Sequence, residues 1–121
     1  MRDDIARLED IRDSLSRLVA WSSADDAEAA FRARGMLYSA VIREFTVIGE
    51  AVKHLSSGAM SVDPVVPWRA LAGFRDVLVH NYFGIRDEVV WDAVTSVAPE
   101  LLRQVTSMVA ALDTGGNPPD D

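Results

Sequence analysis

The chain has 121 residues, 49% of them hydrophobic and none of them cysteine, with a formal net charge of −7. This suits one packed domain that buries roughly two thirds of its unfolded surface, and it excludes a disulfide framework or a thiolate metal site. The acidic balance excludes a broad non-specific nucleic-acid binder, which would carry a basic stripe, but not an enzyme gripping an anion at one arginine cluster. It also suits a basic partner. The N-terminus carries Asp3, Asp4 and Arg7 and lacks the apolar core of a signal peptide. No apolar run approaches membrane-spanning length, so the expected setting is a cytoplasm with no membrane contact.

In chain order, Ile5, Leu8, Ile11, Leu15 and Leu18 step by three or four and predict a first helix from Asp3 to about Ala20. Ser22 to Asp26 is a break, with Ser23 as the expected cap of a short helix from Ala27 to Arg34. Gly35 is a bend or a close-packing point. Met36 to about Ser56 predicts the longest and most apolar helix, with Leu37, Val41, Phe45, Ile48, Val52 and Leu55 along one face. It should be the central helix. Gly49 in its middle disfavours the helix relative to alanine, which points to a close helix approach there. Glu50 and His54 stand at i and i+4, either as a surface pair or near a site.

Ser57 to Val66 reads as a loop whose Val62, Val65 and Val66 pack onto the bundle or onto a partner. Pro67 opens a helix from Trp68 to Val79 that Gly84 ends. Asp87 is expected to cap the next helix, with Val89, Val90, Trp91, Ala93, Val94 and Val97 buried. Pro99 kinks this helix or opens a new one, and Leu101 to Leu112 completes an apolar stripe. The domain spans residues 1–113, and residues 114–121, with two Gly, two Pro and two Asp, form a tail expected to be disordered. No segment alternates at period two, so no sheet is expected and the fold class is all-α. The tryptophans at 21, 68 and 91 read as core aromatics.

The segment Gly73 to Gly84 gathers Arg75, Asp76, His80 and Tyr82 in an otherwise apolar stretch. Asp76 and His80 are i and i+4, so the carboxylate can orient the imidazole. Arginine offers a planar fork of donors to a phosphate. These residue types support proton-transfer chemistry on an anion, and equally an Asp–His surface pair, a salt bridge and a half-buried tyrosine. Two histidines far apart without cysteine form no zinc pattern, and the sequence shows neither a glycine-rich phosphate loop nor a serine elbow.

Arg75, four residues, His80, one residue and Tyr82 resemble the R-x4-H-x-Y motif of HEPN ribonucleases, and more closely the HepT-like (DUF86) toxins. Val47 to Lys53, Pro67 to Gly73 and Val89 to Asp92 fit the same pattern, from about Asp4 to about Val105. The resemblance implies a HEPN-type antiparallel bundle of about five helices that forms a homodimer, its motif helices meeting near the two-fold axis. It implies a metal-independent, cofactor-free endoribonuclease acting on tRNA or mRNA. His80 is then the general acid or base, Arg75 binds the scissile phosphate, Asp76 orients one of them, and Tyr82 and Asn81 touch substrate, with Glu50 in support. The implied partner is an MntA-type nucleotidyltransferase antitoxin that transfers AMP from ATP to Tyr82. The alternatives are a non-catalytic HEPN module that binds a nucleotidyltransferase or a nucleotide, and a helical dimerisation domain whose polar cluster is incidental.

Overall fold

The apolar seam of the first stretch folds into α1 (Arg2–Ser22), whose Leu8, Ile11, Leu15 and Leu18 are fully buried and whose Ile5 is partly so. In the computed structural model, which describes residues 2–80 and 84–115, there follow α2 (Ala27–Arg32), α3 (Met36–Lys53), α4 (Ser57–Met60) and α5 (Trp68–His80). Then come α6 (Asp87–Asp92), a π-helical turn (Ala93–Val97) and α7 (Ala98–Gly115). Among the described residues there is no strand, as the all-α reading expects. The central helix is α3, which packs on α1 along one side and on α5 along another; α1 also carries α7. Tyr38, Val41, Phe45, Ile48 and Val52 are the buried face of α3. Phe31 of α2 stacks between Tyr38 and Trp91, with ring centroids 5.0 and 5.1 Å away.

Several local expectations are corrected. Ser23 does not cap α2: its hydroxyl donates to the Val19 carbonyl and closes α1, while Asp26 precedes α2 without a side-chain cap. Arg34 lies beyond α2 at φ 58°, a left-handed conformation that ends a helix. Gly35 is a bend rather than a packing point, since a Cβ there would meet nothing within 4 Å. The expected loop after α3 contains α4, because the Ser56 hydroxyl accepts from the Ala59 N–H and nucleates a turn. In the rest of that loop Val66 is buried but Val62 and Val65 are exposed. Asp87 is the first residue of α6 rather than its cap, and it pairs with Arg34 at 2.7 Å. Val89 and Val97 are exposed, unlike Val90, Trp91 and Val94.

Pro99 stands at the opening of a helix, one of its two expected places: it is the second residue of α7, two residues past the π turn, in which the Ala98 N–H reaches back five residues to Ala93 O. A proline cannot donate to the residue four before it and its ring crowds that carbonyl. The widened turn absorbs both effects. Helix α7 extends two residues into the expected tail, and residues 116–121 lie outside the described residues.

Two polar contacts tie the helices together. Glu44 of α3 is buried, and Arg17 of α1 holds both its oxygens at 3.1 Å. Near the start of α1, buried Asp4 accepts from the Ser56 N–H at 2.9 Å and the Ser56 hydroxyl at 2.8 Å. The backbone N–H of Ser56 holds the Asp4 carboxyl below the usual aspartate range, against the opposing effect of burial. A depressed folded pKa means that the contact stabilises above the ordinary aspartate pKa and is lost as pH falls through the folded value. Replacing Asp4 with Asn is therefore expected to lower stability by about 1–2 kcal/mol at pH 7. The gap to the parent protein should begin to narrow below about pH 4 and close below the folded value. Urea unfolding at pH 7 and at pH 3 reads both effects.

Candidate active site

Arg75 occupies the contact between α3 and α5 because Gly49 leaves room for it. Gly49 is buried, and a Cβ on it would stand 2.1 Å from Arg75 Cβ, 2.8 Å from Arg75 Cγ and 3.1 Å from the Leu71 carbonyl oxygen. The close helix approach expected at Gly49 is thus present, with the Arg75 stem filling the space of the missing side chain. Above it, Arg75 Nε is buried without a hydrogen-bond partner. Nη2 lies 3.3 Å from Glu50 Oε1, and Nη1 donates to Asp76 Oδ1 at 3.2 Å.

The network continues on both sides. Glu50 Oε2 stands 3.3 Å from His54 Nε2, and Lys53 Nζ donates to Asp76 Oδ1, the same oxygen that Arg75 uses. Lys53, followed by Arg75, keeps the Asp76 carboxyl below the ordinary aspartate range, so it is ionised at neutral pH. Two cations and two carboxylates alternate across the α3–α5 contact. Beside them opens a cleft of about 330 Å³ whose charged walls are Arg7, Asp10, Glu50 and Arg75, with His54.

His80 is exposed at the last position of α5. Helix geometry places it about 40° around and about 6 Å along from Asp76, and about 140° around and 7.5 Å along from Arg75. Asp76 therefore sits between the two. The expected Asp76–His80 pair is not made: among the described residues Asp76 bonds to Lys53 and Arg75 only. The expected reach of Glu50 to Arg75 is present. Asn81 and Tyr82 lie outside the described residues. No three His, Asp or Glu side chains among the described residues stand together as a metal-holding group.

Chemically, the arrangement offers a guanidinium fixed in orientation by two carboxylates. Each terminal nitrogen keeps a second N–H, because an arginine carries five in all. An exposed imidazole follows along the same helix. Sequence reading passed over Lys53. Its signal was position: it lies three residues after Glu50 and four after Gly49, on the α3 face that meets α5.

An all-helical bundle that presents Arg75 and His80 five residues apart on one helix is consistent with the HEPN type. Residues 1–108 match the family model described as Ribonuclease HepT-like, and the chain belongs to that family. A protein of Methanocaldococcus jannaschii that bears a provisional RNase name is 33% identical over 112 residues, 93% of this chain and 96% of that protein. A second from the same organism, also provisionally named an RNase, is 40% identical over 74 residues, 61% of each chain. A Thermococcus cleftensis protein named as a probable ribonuclease HepT is 42% identical over 62 residues, 51% of this chain and 56% of its own. The matched stretch thus spans less than two thirds of these last two relatives. No solved structure matches the chain.

Proposed function

We propose that the protein is a metal-independent endoribonuclease that cuts tRNA or mRNA as the toxin of a toxin–antitoxin pair. The observation that carries this reading is Arg75, seated over Gly49 and held by Glu50 and Asp76 beside the exposed His80. Family membership and the ribonuclease names of the relatives support it. In this reading Arg75 binds the scissile phosphate and stabilises the charge that develops on it. His80 takes the proton of the ribose 2′-hydroxyl as its oxygen attacks phosphorus, or gives a proton to the leaving 5′-oxygen. Asp76 and Glu50 position these groups, and Asn81 and Tyr82 contact the substrate.

A homodimer fits the wide angle between Arg75 and His80 on one helix, because a second copy brings a second set of both to a shared site. No helix among the described residues is long and apolar enough to cross a membrane, and the proposed setting is cytoplasmic. RNA cleavage by the purified protein in excess chelator tests the reading, since a metal-dependent nuclease would be silent there.

Silencing is proposed to act on Tyr82. An MntA-type nucleotidyltransferase would direct the Tyr82 oxygen onto the α-phosphorus of ATP; pyrophosphate leaves and the phenolic proton is lost. The added phosphate brings negative charge and bulk that would oppose the binding of RNA phosphate. Tyr82→Phe is expected to take up no AMP from such an enzyme, read as the absence of the added mass. Uptake at the parent rate would move the modification elsewhere. One feature favours the non-catalytic alternative: Arg75 is already engaged by two carboxylates, as in a structural ion network.

A further inference from the structure

Lys53 Nζ and Arg75 Nη1 converge from two different helices on a single oxygen, Asp76 Oδ1. Two cationic donors meeting at one anionic oxygen is the arrangement that binds a phosphoryl oxygen. Here the oxygen comes from the chain itself. We propose that Lys53 and Arg75 form a two-cation site for an RNA backbone phosphate, which the Asp76 carboxylate occupies in the free protein and vacates when substrate arrives.

Three observations carry this. First, the site is reachable: about half of the Asp76 side chain and about a third of that of Lys53 are exposed, so a phosphate can compete for the donors. Second, Asp76 has somewhere to go. His80 is one turn further along α5, at the spacing where side chains meet, and it makes no bond to Asp76 in the free protein. Third, Arg75 need not move. Its stem is pinned over Gly49 and Glu50 holds its other terminal nitrogen, so the guanidinium stays in place when Asp76 departs.

The handover then couples binding to chemistry. Phosphate replaces carboxylate on Lys53 and Arg75, with no change in the number of anions facing them. The freed Asp76 turns toward His80 and orients the imidazole for proton transfer. Lys53 is thus a substrate-binding residue, and Asp76 a positioning residue with two successive partners. The identity of the anion rests on the ribonuclease reading above; the two-cation site does not.

The test separates binding from turnover. The probe is a mixed-sequence 2′-O-methyl oligoribonucleotide, which keeps its phosphates but lacks the attacking hydroxyl, followed by fluorescence anisotropy across a salt series. Lys53→Met is expected to weaken binding about fivefold and to lower the salt slope by about one phosphate contact. Asp76→Asn keeps the shape but removes the competing charge, and is expected to tighten binding about threefold while slowing cleavage of ordinary RNA about tenfold or more. In the parent protein, but not in Asp76→Asn, the probe should shift the His80 imidazole resonances. If Asp76→Asn instead weakens binding as Lys53→Met does, Asp76 only holds Arg75 in place and the handover is wrong. If Lys53→Met binds the probe as the parent does, there is no two-cation site. Should the parent protein cleave no RNA while the binding pattern holds, the nuclease reading fails and the phosphate site stands.

Discussion

Replacing His80 with alanine is expected to lower the rate of RNA cleavage by about 10²- to 10⁴-fold, the usual contribution of a positioned general acid or base. The substitution should be clean. His80 is exposed at the end of α5, and its side chain bonds to none of the described residues. What it loses structurally is a favourable position for a cation at a helix C-terminus, about 0.3–1 kcal/mol when charged. Thermal melting should therefore move little while cleavage collapses. Arg75→Ala is a less clean companion, because it removes the Arg75 stem beyond Cβ from the contact over Gly49 and takes the guanidinium away from both Glu50 and Asp76. A folded His80→Ala protein that cleaves as fast as the parent would remove His80 from the chemistry and leave the helix-end imidazole as a surface group.

The elements that sequence periodicity reveals best are those with a continuous apolar stripe. The seam of α1 and the stripe of α3 are both found where steps of three and four place them, α1 packing on α3 and α7, and α3 on α1 and α5. Gly49 was legible for a related reason. A residue that disfavours a helix persists in a buried stripe only when something needs its space, and Arg75 does. Charged partners are harder to read. Asp76 has a histidine at i+4, but spacing says only that two side chains can meet. Lys53, 23 residues earlier and brought in by the α3–α5 contact, takes the carboxylate instead. Glu44 is missed by any rule that sends acids to the surface. Its signal was its register, three residues from Val41 and four from Ile48, which sets it on the buried stripe with Arg17 opposite. The π turn before Pro99 was not legible, since a proline inside a helical pattern fits a kink, a stop or a widened turn equally well.

The same substitution at two glycines is expected to act with opposite sign, and this tests how Arg75 is held. Gly49 and Gly73 both lie within helices, where alanine is favoured over glycine by about 0.8–1.0 kcal/mol. At Gly73 an added Cβ meets nothing within 4 Å, so Gly73→Ala should stabilise by up to about 1 kcal/mol. At Gly49 the new methyl would stand 2.1 Å from Arg75 Cβ and 3.1 Å from a backbone oxygen of α5. Neither atom is the free end of a flexible chain. The Arg75 Cβ moves only if α5 moves, by roughly 1.5–2 Å to restore an ordinary contact between carbon atoms. Such a shift loosens the whole α3–α5 contact, including the edge-on pair of Phe45 and Phe74 at 5.2 Å. Overpacking of this kind costs typically 1–3 kcal/mol and more when backbone must yield, which outweighs the gain in helix propensity. Gly49→Ala is therefore expected to lose about 3 kcal/mol in urea unfolding. It should also lose the Arg75–Glu50 contact, and with it binding of the non-cleavable oligonucleotide. If Gly49→Ala proved as stable as the parent and bound the probe unchanged, Arg75 could not be seated over Gly49, and neither its fixed orientation nor the phosphate site built on it would survive.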